Sequence, residues 1–242
     1  CRCLDCAPEL GVALAAAERS GDRLGQATAL RLLSRAEIRI GLLTEADEKM
    51  RRSRDIYADL GDDSGEAQAE HNLSELSMVR GDMARGRAHA ERAVELYRRA
   101  GNRDGEARAL NAVGWLAANM GDYDVTIARC SEALAVQEVS GDRNGQAATL
   151  DSLAVAFEAQ GDLPRAAELY QRSSDLFRES ADRFHTAEVL IRLGAAREVL
   201  GDPAAARAAW QEALGFYVEI GDESAADVLR RLDALDQSGA GR

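Results

Sequence analysis

The sequence is short of most things a catalytic pocket is made from. Of its 242 residues, three are histidine, three proline and four cysteine, and aromatics make up only 5%. His71, His89 and His185 fall in different segments, so no shared base is expected. There is no G-x-x-x-x-G-K-[ST], G-x-S-x-G or H-E-x-x-H stretch, which removes the usual phosphate-loop, serine-hydrolase and zinc-protease signatures. "GDRNG" at 141–145 gathers acids and glycine but lacks the spacing of a calcium loop. An enzyme is not expected. No apolar run approaches the roughly 20 residues that span a bilayer. No membrane segment is expected, and a cytoplasmic location follows as the working expectation.

Cysteine is scarce and clustered. Cys1, Cys3 and Cys6 crowd the first six residues, and a structural zinc site needs a fourth ligand that nothing nearby supplies. No metal or other cofactor is expected there. Cys130 lies in a helical pattern and reads as a small buried hydrophobe. A first residue that is Cys rather than Met suits a piece of a longer protein. Lysine is almost absent, Lys49 being the only one, and the net charge is −12. Such a chain repels a phosphate backbone, so direct nucleic-acid binding is not expected.

Glycine and alanine are plentiful, and glycine is periodic. It stands at positions 21, 41, 61, 81, 101, 121, 141, 161, 201 and 221, with Ala181 the one break. Asp follows it at 22, 62, 82, 122, 142, 162, 202 and 222, and Asn at 102. Glycine accepts the left-handed conformation that ends a helix. Asp or Asn then caps the next one. Each step is therefore a helix stop and start, leaving helices of 16 or 17 residues, roughly 25 Å long.

The contents of the segments repeat at 40, not 20. One set of helices carries Ala27, Ala67, Ala107, Ala147 and Ala187, then Leu30, Glu70, Leu110, Leu150 and Leu190. The alternate set carries small residues at Ala46, Gly86, Thr126, Ala166 and Ala206, and ends on Tyr57, Tyr97, Gln137, Phe177 and Tyr217. Large columns give each helix an apolar stripe, and small columns mark close helix approach. A lone helix pair has little to bury that stripe against, so pairs must stack. Trp210 occupies a packing column and is expected in the core.

The stretch 150–173, with Leu153, Ala154, Phe157, Gly161, Asp162, Ala166, Tyr170 and Ser173, resembles the tetratricopeptide repeat pattern. So does 110–133, with Thr126 and Cys130 at two of its places. The 40-residue spacing, without the usual late proline, is similar to the long-unit subclass. That subclass is found in C-terminal arrays of bacterial signal-transduction ATPase and transcriptional regulators and in LGN-type adaptors. The resemblance implies an all-α, right-handed α–α superhelix of about 12 helices. Residues 1–20 would be a remnant and half-repeat, 21–220 five 40-residue units, and 221–242 a capping helix with a frayed tail.

The resemblance also implies function: a non-enzymatic scaffold that takes a peptide or protein segment in a concave groove lined by the first helix of each unit. The segment would come from a partner or from another domain of the same parent chain, as in the sensor region of a bacterial regulator. A free-standing adaptor or peptide receptor is a second reading, and an end-to-end homo-oligomer a third. Groove columns differ from packing columns in not keeping one residue type. Arg31, Arg35 and Arg39 share one helix face by i, i+4 spacing. With Asn72 and Arg108 they partly resemble a carboxylate clamp, although Arg35 stands where Asn is usual and Ala112 where a basic residue is expected. The alternative is that these arginines pair with acids such as Glu37 or Glu70. Trp115 is either a groove anchor or packs on the adjacent unit's first helix. Asn111, one turn earlier, faces the same way.

Overall fold

The computed structural model describes residues 7–240, with side chains over 8–237. The cluster of Cys1, Cys3 and Cys6 lies outside the described residues. The described chain is all α, with twelve helices in two compact units that divide at Met120 and Gly121. The first unit contains α1 (Ala7–Ser20), α2 (Arg23–Arg39), α3 (Leu43–Leu60), α4 (Asp63–Val79), α5 (Met83–Arg99) and α6 (Arg103–Asn119). The second contains α7 (Tyr123–Ser140), α8 (Arg143–Ala159), α9 (Leu163–Glu179), α10 (Arg183–Val199), α11 (Pro203–Ile220) and α12 (Ala225–Ala240). Within each unit consecutive helices pack as antiparallel neighbours, the arrangement short turns enforce.

The turns work as the glycine–acid ladder predicts. All ten ladder glycines have φ between 67° and 85°. At Gly61 the chain closes a two-bond stop: Gly61 N–H donates to Ala58 O and Asp62 N–H to Tyr57 O. The Asp62 side chain then accepts from Gly65 N–H at 2.9 Å, starting α4. Asn102 does the same for Gly105. Such a cap is worth about 1 kcal/mol. Ala181 holds the left-handed conformation too, at φ 57°, without glycine's freedom. At Leu42, the ladder step without an acid, α3 begins with no side-chain cap.

Small columns do what close packing asks. Ser53 Oγ donates to Ala27 O at 2.7 Å, and its counterpart Ser173 Oγ to Ala147 O at 2.8 Å. Ala46 and Ala166 are fully buried. A Cβ added at Gly86 would sit 3.3 Å from Ser74 O, so the two backbones approach closely enough there to crowd any side chain.

A second glycine series, at 25, 65, 105 and 145, has a different purpose. The Tyr57 ring lies over Gly65, where a Cβ would come within 2.2 Å of it, and the Tyr97 ring lies over Gly105, within 2.5 Å. Gly65 and Gly105 are seats for the aromatic that ends the preceding helix, whereas Gly25 and Gly145 lie against the capping Asp22 and Asp142. In the second unit the seat at 185 is a histidine, and Phe177 stacks on its ring instead, with centroids 5.2 Å apart. The core of that unit runs from Cys130 through Leu150, Tyr170 and Leu190 to Leu235. Trp210 is buried within it as expected, its Nε1 donating to Ile191 O above Gly194. Burial pushes the Cys130 thiol up to about 12, so it stays protonated and acts as packing.

Candidate functional site

The first unit carries an open cavity of about 260 Å³ on the side formed by α2, α4 and α6. Helical spacing builds it. Arg31 and Arg35 sit one turn apart on α2; Gln68, His71, Asn72 and Glu75 occupy successive turns of α4; Arg108 comes from α6. Tyr97 of α5, buried on its seat at Gly105, contributes its ring to the lining.

Four of the residues expected in a groove therefore line one cavity: Arg31, Arg35, Asn72 and Arg108. Arg39 is exposed at the end of α2 and is not part of the lining. Asn111 and Trp115 on α6 are half-buried and do not line it either. The wall residues His71, Gln68 and Glu75 stand in the same periodic columns as the arginines. That shared register was the available signal for them. Tyr97 gave none, because it belongs to a packing column.

The electrostatics are unusual for an acidic protein. Arg31, Arg35 and Arg108 make no ion pair among the described residues, whereas arginines elsewhere commonly do, as Arg99 with Asp63 and Arg143 with Glu179. The acids suggested as their partners are engaged otherwise. Glu37 takes Lys49 at 2.6 Å. Glu70, the carboxylate that interrupts the leucine column, is buried and held by His89 Nδ1 at 2.6 Å, with Arg54 3.7 Å away. Three guanidiniums thus face a single wall carboxylate, Glu75, which lies 3.7 Å from His71 Nε2.

Two buried polar atoms in the wall have no hydrogen-bond partner: Arg31 Nε and His71 Nδ1. Burial pushes the His71 pKa down, and the charges of Arg108 and Arg35 push the same way against the pull of Glu75. Its imidazole is therefore neutral at pH 7. Asn72 is buried, with Nδ2 4.0 Å from Met50 Sδ. The cavity therefore combines surplus positive charge, forked donors and two buried nitrogens without a partner.

The second unit treats the corresponding surface differently. Asp151 on α8 accepts from Arg192 Nη1 through both oxygens at 2.9 Å, and Tyr170 donates to Glu158 at 2.6 Å. Burial raises the Asp151 pKa, while Arg192 opposes that rise. This unit also has a cavity of about 290 Å³ among α9, α10 and α11, lined mostly by leucine and alanine, with Arg197 and Glu212 of opposite charge. No group of three or more His, Cys, Asp or Glu among the described residues is placed to hold a metal ion. No described helix is long and apolar enough to cross a membrane.

Comparison with known proteins bears on the fold. A family profile described as tetratricopeptide repeat matches residues 65–125 and 116–179. Comparison with curated protein sequences finds no match. Among solved structures the chain is similar to BtubC (BKLC) from P. vanneervenii, with TM-score 0.78 and 16% identity over 91% of this chain and 93% of that one. It is similar to a Signal Transduction ATPase with Numerous Domains protein with a tetratricopeptide repeat sensor from Pyrococcus horikoshii, with TM-score 0.71 and 15% identity, over 91% of this chain but only 38% of that one. A Rap protein complexed with Competence and Sporulation Factor matches with TM-score 0.63 and 18% identity, over 90% of this chain and 66% of that one.

Proposed function

The chain is a tetratricopeptide repeat protein, and on that premise we propose that it is a non-enzymatic scaffold whose α2–α4–α6 surface grips an anionic group on a peptide or protein segment. One observation carries this reading: in a chain of net charge −12, Arg31, Arg35 and Arg108 line one cavity and make no ion pair among the described residues. Like charges held together without internal neutralisation raise the free energy of the empty site and are relieved by an incoming anion. Asn72 supplies a neutral donor in the wall. Arg39, Asn111 and Trp115 lie outside the cavity lining and would meet the rest of the bound segment. The resemblance to long-unit arrays adds a setting: the scaffold serves as the interaction region of a larger bacterial regulator, holding an effector part in check until a partner displaces it.

Probing the purified chain with a library of short acidic peptides tests the grip. Binding is expected to weaken steeply with salt. It should vanish in the triple variant Arg31→Gln/Arg35→Gln/Arg108→Gln and survive Arg143→Gln, which changes an ion-paired arginine of the second unit. Peptide binding indifferent to the triple variant would overturn the site. For the regulator setting, a phosphate-binding loop encoded just upstream of Cys1 would support it, and a start codon there would remove it.

A further inference from the structure

The following rests on the reading of the α2–α4–α6 cavity as an anion receptor and specifies the anion. We propose that the cavity is built for a dianionic phosphoryl group carried on a side chain of the partner protein, not for a single carboxylate.

Charge is the first reason. With His71 neutral, three guanidiniums against Glu75 leave a surplus of two positive charges. One carboxylate would neutralise half of it. A phosphorylated side chain carries about 1.5 to 2 negative charges at pH 7 and matches it. The second reason is donor capacity. Three forks line one cavity, and Arg31 and His71 of its wall each hold a buried nitrogen with no hydrogen-bond partner. A phosphoryl group presents three acceptor oxygens and a carboxylate two, so the former satisfies more of these donors in one place. Arginine forks also match phosphate geometry bidentately.

His71 is the discriminating residue. Its ring adds no charge to the empty site, and a dianion beside it favours the protonated ring, in which both nitrogens donate. Glu75 opposes any anion and opposes a dianion most, which sets a threshold that a weakly charged ligand does not overcome.

The whole chain should be titrated with three probes by fluorescence anisotropy. They are a short degenerate peptide pool with a central phosphoserine and amidated end, the same pool unphosphorylated with a free C-terminal carboxylate, and inorganic phosphate as competitor. The phosphorylated pool is expected to bind about tenfold or more tighter than the carboxylate pool, since each hydrogen bond to a charged group is worth a factor of that order. Arg31→Gln and Arg108→Gln should each weaken it by about tenfold, and Glu75→Gln should strengthen it, with unchanged thermal unfolding as the control for folding. His71→Phe should narrow the gap between the two pools. If the carboxylate pool binds as tightly as the phosphorylated one, the phosphoryl assignment falls and the anion-receptor reading stands. If neither binds, both fall. If inorganic phosphate alone binds as tightly as the phosphorylated pool, the protein-borne source is wrong. Phosphopeptide binding that the arginine variants leave intact would place the ligand elsewhere and sink the proposal.

Discussion

His71 in the first unit and Asp151 in the second stand in the same repeat column, two periods apart, and meet opposite treatment. Asp151 is answered from within: Arg192 reaches it from α10 at 2.9 Å. His71 stands among Arg31, Arg35 and Arg108, none of which makes an ion pair among the described residues. The packing beneath is of one kind in both units, with small residues donating across close helix pairs and large ones filling the stripe. The comparison teaches that a repeat can hold its packing columns to one residue type while its open face is either closed off by an internal ion pair or left charged for a visitor.

The largest expected effect breaks the internal answer. Asp151→Ala leaves Arg192 without its partner and should cost about 2–3 kcal/mol, below the range for fully buried pairs because Arg192 remains partly exposed. Arg108→Gln in the first unit should change stability by less than about 0.5 kcal/mol, as for a surface change that breaks no pair. Urea denaturation of both variants would show the contrast, and equal losses would erase it.

Next in size is the aromatic seat. Gly105→Ala puts a Cβ into the Tyr97 ring and should cost about 1–3 kcal/mol through overpacking. It should also disturb anion binding, since that ring lines the cavity. His185→Ala at the corresponding seat of the second unit removes a stacked ring and should cost only about 0.5–1.5 kcal/mol. Thermal melts of the two variants would rank them.

Ala181→Gly, at the second unit's left-handed alanine, should stabilise by about 1 kcal/mol, because the steric penalty of a Cβ there exceeds the entropy glycine adds to the unfolded chain. The same measurement on Gly61→Ala in the first unit should show a loss.

The smallest effect is in pH. The folded-state pKa of His71 lies below its ordinary 6.5, so its contribution is whole above pH 6.5 and is lost as pH falls from there through the folded value. Asp151 runs the other way: its folded pKa lies above 3.8, so its contribution is whole below 3.8 and is lost as pH rises through the folded value. His71→Gln should therefore flatten the stability loss on acidification below pH 6.5, and Asp151→Asn should flatten the loss as pH rises above 3.8.

The helices and turns were legible because their causes are local. A left-handed residue followed by an acid stops one helix and starts another wherever it occurs, and ten glycines at φ 67° to 85° follow from that. Half the cavity wall was legible as well, since the family resemblance puts Arg31, Arg35, Asn72 and Arg108 in one groove, with helical spacing aligning only Arg31 and Arg35. Glu70 was not. It looks like a lapse in a leucine column until His89, on the next helix, is seen beside it. Nor were the rings of Tyr57 and Tyr97 that sit on Gly65 and Gly105.

By itself, then, the amino-acid order determined where each helix begins and ends and which stripe it buries, because caps, glycine conformations and apolar spacing act within a few residues. Only the tertiary structure decided which charges meet. Glu37 went to Lys49 and Glu70 to His89, and three arginines were left around one cavity with Glu75 the single carboxylate in its wall. Pairing of that kind depends on distances between different helices, and no periodicity along one chain direction encodes them.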